Sequence, residues 1–178
     1  MALPSKLFRF KIEFSDPAKS AYRTLDFRVA QHPSETLQYM LTRVFAYALS
    51  FEEGLEFSTG GLADPDGPAM SVANPNGGTA LWIEIGNPST RKIHKASKAS
   101  QKVKIYTYKD PKVLMQEIHN EQIHRKNEIE IYSLSPAFLD RLSHSLKKEN
   151  RWTLICMDGT LILNAENLTE ETELHRHH

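Results

Sequence analysis

The order of apolar patterns along the chain predicts an α/β fold, with a mixed central β-sheet flanked by helices. Two segments with alternating apolar residues, 6–16 and 23–32, come first, and a helical stripe of apolar residues follows them. A strand, a helix and a second strand then follow one another between 81 and 108. This alternation is typical of a sheet in which some neighbouring strands are parallel.

The first two segments are predicted to pair as a β-hairpin, joined by PAKSAY. The clearest helix comes after HPSE, because apolar residues recur there at the spacing of one buried face. These residues are Leu37, Met40, Leu41, Val44, Phe45, Ala48 and Leu49. Pro33 suits the first turn of this helix, and Gly54 lies near its end.

The middle of the chain is predicted to hold the central strand. GLEFSTGG is typical of a short strand that enters a glycine turn, and the long connection after it contains a further short strand, AMSV. ALWIEI is then the central strand itself. Asn87 and Pro88 suit the start of the next helix, which is predicted from 88 to 101. With the strand at 103–108, segment 81–108 is predicted to be a β-α-β unit with parallel strands.

The remaining elements follow the same alternation. A polar helical segment covers 111–125, and the strand EIEIYSL and a helix opened by Ser135-Pro136 follow. A final hairpin turns at Asp158-Gly159. We expect one domain over 1–165, followed by an acidic and histidine-rich tail, 166–178, that is flexible.

The charges are balanced in number but segregated along the chain. Of the 178 residues, 40% are hydrophobic, which is enough for one core, and the formal net charge is zero. Segment 44–90 nevertheless has six acids and no Lys or Arg, whereas 91–112 has eight bases and one acid. Two interpretations stay open: a site that pairs carboxylates with a phosphate-attracting rim, or two solvated faces that partly neutralise each other.

The sequence also limits the cellular compartment. The N-terminal segment alternates charged and apolar residues, unlike a signal peptide, and no segment is long and apolar enough to span a bilayer. Cys156 is the only cysteine, so one chain forms neither a disulfide nor a cysteine-based zinc site. We therefore expect a cytoplasmic protein with no membrane partner.

Glu84 is the residue that most directly suggests a functional site. It lies near the end of a strand that is otherwise apolar, where open α/β sheets form their clefts. A carboxylate buried there needs a cation or a basic side chain. The structural interpretations are an edge-facing side chain or a salt bridge to the next helix, and the functional one is a ligand of Mg²⁺, which usually takes one or two carboxylates.

Three segments together resemble a known family. HPSET at 32–36, LWIEIGNPSTRKIHKAS at 81–97 and VKIYTY at 103–108 are similar to the YaeQ family of bacterial proteins, and the resemblance covers 1–165. That family resembles the PD-(D/E)XK nuclease superfamily, which is also called restriction-endonuclease-like. The resemblance therefore implies a nuclease-like core with acids on the first helix, before the central strand and on it.

The resemblance implies three metal ligands in this chain, with Mg²⁺ or Mn²⁺ as the ion. Glu35 in HPSET corresponds to the first-helix acid, and Glu84 corresponds to the central-strand acid. Asp66 in DPDGP corresponds to the aspartate of the motif, with Asp64 as a competitor. Aspartates among Pro and Gly are also routine in turns, and Glu35 is also favourable at the start of a helix for electrostatic reasons alone.

The chain departs from the superfamily motif after the central-strand acid. Ile85 and Gly86 follow Glu84, where the motif has its lysine. A lysine on the following helix is the expected substitute. Lys95 is the first choice, Lys92 is the second, and Gln101 is a third polar candidate.

Two functions follow from this sequence. The first is a metal-dependent phosphodiesterase with Glu35, Asp66, Glu84 and Lys95 as catalytic residues. The second is a noncatalytic module that binds nucleic acid or a protein partner. Its basic surface consists of Arg91, Lys92, Lys98 and Lys102. A purely solvated helix face is the structural alternative for these bases.

Overall fold

The secondary structure follows the predicted order closely. The computed structural model describes residues 3–61 and 64–177, so Met1, Ala2, Leu62, Ala63 and His178 lie outside the described residues. In the first half, the elements are β1 (Lys6–Asp16), β2 (Ala21–Gln31), α1 (Leu37–Ser50), β3 (Glu56–Phe57), β4 (Met70–Ala73) and β5 (Thr79–Ile85). They are followed by α2 (Thr90–Ala99), β6 (Ser100–Thr107), α3 (Pro111–Asn120), β7 (Glu130–Ser133) and α4 (Pro136–Ser143). The last elements are β8 (Glu149–Met157), β9 (Thr160–Ala165), β10 (Leu168–Glu173) and β11 (His175–Arg176).

The strands belong to two sheets, where the sequence predicts one central sheet. The chain divides into a first unit, Met1–Val44 with Leu134–His175, and a second unit, Phe45–Ser133 with Arg176–His178. The prediction of an α/β protein with mixed strand directions is confirmed. The prediction of one central sheet is wrong, because alternating residues identify a strand but not the neighbours with which it pairs.

The first unit contains a five-stranded sheet with the order β10-β9-β8-β1-β2. Strand β1 pairs antiparallel with β2 and parallel with β8, so this sheet is mixed. Its buried apolar positions on β1 are Phe10, Ile12 and Phe14, as the alternation predicts. The second predicted hairpin is also confirmed, since Asp158 and Gly159 both take positive φ between β8 and β9.

Within the segment 166–178, which the sequence predicts to be a tail, Leu168–Glu173 forms a strand of this sheet and His175–Arg176 forms a strand of the other. Strand β10 pairs antiparallel with β9, with Leu168 opposite Ala165 and Glu173 opposite Thr160. The exposed glutamates of β10 are typical of a disordered tail in their composition. In the structure, however, they alternate with half-buried residues along an edge strand. The sequence was therefore misleading here because an edge strand with one solvated face needs few apolar residues.

The second unit contains a six-stranded sheet with the order β11-β7-β6-β5-β4-β3. Strand β5 lies inside it, antiparallel to β4 and parallel to β6, so the predicted β-α-β unit is confirmed. Helix α2 makes this connection. Its buried residues Ile93 and Ala96 belong to a core cluster with Trp82, Val103 and Ile105.

Two predicted helix starts differ from the structure. Helix α1 begins at Leu37, after a turn that includes Pro33, and Thr36 Oγ1 accepts a hydrogen bond from the Tyr39 amide at 3.2 Å. Glu35 therefore precedes the helix instead of lying in its first turn. Ser89 caps α2 in place of Asn87, whose Oδ1 accepts a hydrogen bond from Thr107 Oγ1 at 2.7 Å. Helix α3, Pro111–Asn120, is also shorter than the predicted segment 111–125.

No helix among the described residues is long and apolar enough to cross a bilayer.

Candidate acid–lysine site

Glu84 lies in the interior of the second unit with both carboxylate oxygens engaged. Its exposed fraction is 3%, which makes it one of the few buried charged residues. Trp82 Nε1 donates a hydrogen bond to Oε1 at 2.6 Å. Lys92 Nζ lies 3.0 Å from Oε2. Of the two structural interpretations offered by the sequence, the structure shows the salt bridge to the next helix.

Local geometry explains why these three residues meet. Trp82 and Glu84 are two positions apart on β5, so their side chains lie on the same face of the sheet. Helix α2 begins five residues after this strand ends, and the Lys92 amide is capped by Ser89 Oγ at 3.3 Å. Lys92 is thus in the first turn of the helix, next to the end of the strand that carries Glu84.

Burial dominates the electrostatics of Glu84. Loss of solvent raises the pKa of its carboxyl group above the ordinary value, and the Lys92 ammonium and the Trp82 N–H partly offset this effect. The side chain of Lys92 is 21% exposed, so the ion pair is accessible to solvent from the lysine side. The site is therefore a buried acid with a partly accessible cation.

The lysine beside Glu84 is Lys92, the second choice from the sequence. Lys95 is exposed on α2, and no contact between it and Glu84 is observed. Three residues along a helix correspond to a rise of about 4.5 Å, which moves Lys95 away from the strand end. Gln101 is exposed in β6, beyond the helix to which it was assigned, and its carbonyl accepts a hydrogen bond from Arg125 Nη1 at 3.2 Å.

Backbone conformation restricts the position two residues after Glu84, where the resemblance to nucleases predicts a lysine. Gly86 occupies that position with φ of +80°, a conformation that side chains with a Cβ rarely adopt. Its amide donates a hydrogen bond to the Tyr106 carbonyl at 2.8 Å, which holds the turn after β5 to the neighbouring strand β6. A lysine at this position would be strained, whereas Lys92 reaches Glu84 from an ordinary helical conformation.

Asp66 and Asp64 lie in the loop before β4 and differ in their contacts. Asp64 Oδ1 accepts hydrogen bonds from the amides of Asp66 and Gly67, at 3.2 Å and 3.1 Å. This carboxylate therefore serves the turn. The Asp66 side chain is 58% exposed, and its Oδ1 lies 3.6 Å from Nη2 of Arg91 on α2. Asp66 thus remains the more available of the two carboxylates.

Glu35 belongs to the first unit and forms a buried ion pair there. Its Oε1 accepts hydrogen bonds from both Nε and Nη2 of Arg43, the former at 2.9 Å. Its Oε2 accepts a hydrogen bond from the His32 amide at 3.1 Å. Arg43 Nη2 also donates to the Ala30 carbonyl at 2.8 Å. The carboxylate therefore joins the turn before α1 to the helix itself.

Each proposed acid ligand thus has a basic partner within its own unit. Among residues 3–61 and 64–177, no group of three or more His, Cys, Asp or Glu side chains has an arrangement that could hold a metal ion. Three of the four bases of the predicted basic surface also have an acidic partner: Arg91 and Lys92 pair with Asp66 and Glu84, and Lys102 Nζ lies 2.8 Å from Glu130 Oε1. Lys98 is exposed on α2.

Sequence reasoning missed two residues of these sites, Trp82 and Arg43. The period of two along ALWIEI places Trp82 beside Glu84, and this signal was available. The pairing of Arg43 with Glu35 spans eight positions, from the turn before α1 to the second turn of that helix, and it depends on tertiary structure. Neither residue was among those predicted from the family resemblance.

Together, the fold and this site define an α/β protein with mixed sheets and a buried acid–lysine pair at the end of an interior strand. The family model described as YaeQ protein matches residues 1–174, and the chain belongs to the YaeQ family. It is 33% identical over 108 residues to the uncharacterized protein YaeQ of Escherichia coli K12. That match covers 61% of this chain and 59% of the relative, which is less than two thirds of its length. The uncharacterized protein YaeQ of Salmonella typhi is 26% identical over 175 residues, with 98% of this chain and 96% of the relative covered.

Solved structures support the same fold. The crystal structure of YaeQ protein from Xanthomonas axonopodis pv. citri has a TM-score of 0.88 at 24% identity, covering 97% of each chain. That of YaeQ protein from Pseudomonas syringae has a TM-score of 0.85 at 24% identity, covering 98% of this chain and 97% of the other. At this identity, the likeness extends to the fold alone.

Proposed function

We propose that this protein is a metal-dependent phosphodiesterase, with a variant PD-(D/E)XK site formed around Glu84 and Lys92. The observation that carries the proposal is the buried carboxylate of an interior strand with a lysine Nζ 3.0 Å away. An apolar residue at position 84 would be simpler if only stability mattered, because a buried ion pair contributes little net stability. Perturbed carboxyl groups of this kind cluster at functional sites.

The order of elements around Glu84 also agrees with a nuclease-like core. The acid lies on β5, between an antiparallel neighbour and a parallel one, and the helix that follows carries the lysine. We take this arrangement as support for the nuclease-like interpretation. The motif has a lysine where this chain has Gly86, and the positive φ of Gly86 accounts for the difference because a lysine would be strained there. In this chain, a lysine reaches the acid from α2 instead.

The residues of the second unit offer two oxygen donors for Mg²⁺ or Mn²⁺. Glu84 Oε2 becomes available when the Lys92 side chain turns away, and the Asp66 carboxylate is exposed. Mg²⁺ often uses one or two carboxylates and completes its coordination with water. Such an ion lowers the pKa of a bound water and stabilises charge on a phosphoryl oxygen. The assignment of Glu35 as a further ligand remains a prediction from the family resemblance.

The chain itself would contribute charge and orientation. The Lys92 ammonium, released from Glu84, is a point charge with three donors on a flexible stem. It can neutralise negative charge that develops on a phosphoryl group or orient the attacking water. Glu84 supplies the oxygen and stays fixed by its hydrogen bond from Trp82.

Cleavage assays with matched variants test this proposal. Labelled single-stranded, duplex, flapped and branched DNA and RNA would be incubated with Mg²⁺ or Mn²⁺. We expect cleavage by the wild type, loss in Glu84→Gln and Lys92→Met, and retention in Lys95→Met, which removes an exposed lysine of the same helix. Equal cleavage by wild type and Glu84→Gln would contradict the proposal and indicate a contaminating nuclease.

One observation favours a noncatalytic binding module as the second candidate. The described residues contain no group of three or more acids placed to hold a metal. In that case, Arg91, Lys92, Lys98 and Lys102 would bind nucleic acid or an acidic protein. Affinity for DNA or RNA should then fall steeply with salt and with Lys98→Glu, and it should be indifferent to a chelator. Binding of this kind without cleavage would favour the module over the enzyme.

A further inference from the structure

A shallow concavity lies on the sheet of the first unit, where β1, β2 and β8 are neighbours. Its volume is about 350 Å³, which is within the range of small-molecule binding sites. Five of the side chains that line it carry a hydroxyl or a carboxylate group. They are Glu13, Ser15, Tyr22, Thr24 and Thr153.

Strand register places these five side chains on one face of the sheet. Glu13 is opposite both Thr24 of β2 and Thr153 of β8, and Ser15 is opposite Tyr22. Side chains at directly opposite positions of paired strands have Cβ atoms about 4.5–5.5 Å apart. The concavity therefore presents one carboxylate, one phenol ring and three hydroxyl groups as a contiguous surface.

The fold itself makes little use of these groups. Among residues 3–61 and 64–177, no side-chain hydrogen bond, ion pair or ring contact is observed for any of the five. Tyr22 is 68% exposed, and Glu13 is exposed beside it. Exposed residues of these types are ordinary when they are scattered. Here they line one concavity from three strands, and this arrangement points to a ligand.

The chemistry of the lining favours a neutral ligand with many hydroxyl groups. A serine or threonine hydroxyl both donates and accepts hydrogen bonds, whereas the Glu13 carboxylate only accepts. The lining contains one acid, Glu13, and one base, Arg23, so its formal charge is zero. The exposed face of Tyr22 offers a flat apolar surface with a negative quadrupole, against which C–H groups can pack.

We propose that this concavity is a binding site for a neutral saccharide. The sugar ring packs with one face on Tyr22, and its hydroxyl groups exchange hydrogen bonds with Glu13, Thr24 and Thr153. The proposal is independent of the phosphodiesterase proposal, since Glu84 and Lys92 belong to the second unit.

Backbone ¹⁵N–¹H NMR spectra of the full chain test the proposal. Maltotetraose, cellotetraose and chitotetraose would each be added up to about 20 mM, and we expect at least one of them to bind with a Kd of roughly 1 mM. Saturable shifts should appear at the amides of Glu13, Thr24 and Thr153. Tyr22→Ala and Glu13→Gln should each weaken this binding by about tenfold or more. Both residues are exposed, so the variants should keep the dispersed spectrum of the folded protein.

Two matched variants and two charged probes complete the test. Leu7→Ala removes an exposed apolar side chain of β1, and Glu171→Gln neutralises an exposed acid of β10. Neither lines the concavity, so both should bind the sugar as the wild type does. No saturable shift with any of the three sugars would overturn the proposal, and so would shifts that persist unchanged in Tyr22→Ala and Glu13→Gln. Saturable binding of choline chloride or sodium glutamate at these amides, without binding of a sugar, would overturn the assignment of a neutral ligand.

Discussion

The Lys92 ammonium lies 3.0 Å from the Glu84 carboxylate, across the turn that joins strand β5 to helix α2. The two residues are close in sequence, but only the sharp turn at Gly86 brings the first turn of the helix beside the strand end. The pair therefore links the local geometry of one β-α connection to the chemistry proposed for the protein.

Replacing Lys92 should destabilise the fold, because it leaves a buried carboxylate without its cation. We expect Lys92→Met to lower the free energy of unfolding by about 2 kcal/mol at pH 7, as measured by urea denaturation. Lys95→Met should change it by less than about 0.5 kcal/mol, because Lys95 is exposed. Equal stability of the two variants would show that the ion pair does not form in solution.

The Glu35 and Arg43 pair should show strong energetic coupling. Each single substitution, Glu35→Gln or Arg43→Met, removes one charge of the buried pair and leaves the other without its counter-charge. Each should therefore lower the free energy of unfolding by about 3 kcal/mol. The double variant should lose clearly less than the sum of the single losses, since neither partner is then left alone. Additive losses in a double-mutant cycle measured by denaturant unfolding would contradict the buried pair.

Glu130 should make stability depend on pH in the acid range. Burial opposes ionisation of Glu130, but hydrogen bonds from Lys102 and Tyr132, with the nearby lysine charges, outweigh it and lower its pKa below 4.5. As the pH falls, Glu130 therefore takes up its proton earlier in the unfolded chain than in the folded protein. The contribution of ionised Glu130 to the free energy of unfolding is full above pH 4.5, and it is lost as the pH falls through the lowered pKa.

Glu130→Gln tests this pH dependence. At pH 7, the Glu130→Gln variant should have a free energy of unfolding about 1 kcal/mol lower than that of the wild type. This difference in stability should shrink as the pH is lowered below about 4.5. Thermal unfolding followed at several pH values measures it. Glu117→Gln, at an exposed position on α3, is the control and should show no such change. A difference that grows on acidification would reverse the assigned direction of the pKa shift.

Gly86 should be needed for its backbone conformation and not for space. An added Cβ would have no neighbour within 4 Å, but φ is +80°. We expect Gly86→Ala to destabilise by about 1 kcal/mol, and Gly86→Asn by less, because Asn tolerates positive φ better. Unfolding of both variants provides the comparison. Equal tolerance of Ala and Asn would indicate that the turn relaxes to another conformation.

On the proposed function, divalent cations should stabilise the folded protein by binding to Glu84. At a Mg²⁺ concentration about one hundred times the Kd, the stability should rise by about 3 kcal/mol, seen as a higher Tm. Glu84→Gln should abolish this rise, and Lys95→Met should keep it. A rise that persists in Glu84→Gln would place the bound ion elsewhere.

The elements themselves were largely predictable, because each depends on a local pattern. The stripe from Leu37 to Leu49 gave helix α1, and alternation gave both hairpins and β5. Errors occurred where capping decided an end, as with Ser89 in place of Asn87. Strand β10 was missed because an edge strand with exposed glutamates lacks an apolar pattern.

The candidate site was predictable in its residue types but not in its pairings. Glu84 was identified because a carboxylate in an apolar strand is costly to bury unpaired. The choice between Lys92 and Lys95 depends on where the helix begins relative to the strand end, within a few ångströms. Composition and periodicity do not contain that distance.

The sequence alone therefore determined the family, the α/β class, the order of elements and the presence of a buried acid that needs a cation. Tertiary structure alone decided that two sheets form, that Lys92 is the cation and that Trp82 holds the other oxygen of Glu84. The physical reason is the distance along the chain over which each kind of interaction acts. Propensity and burial patterns act between near neighbours in the chain, whereas strand pairing and side-chain contacts are selected by the packing of the whole unit.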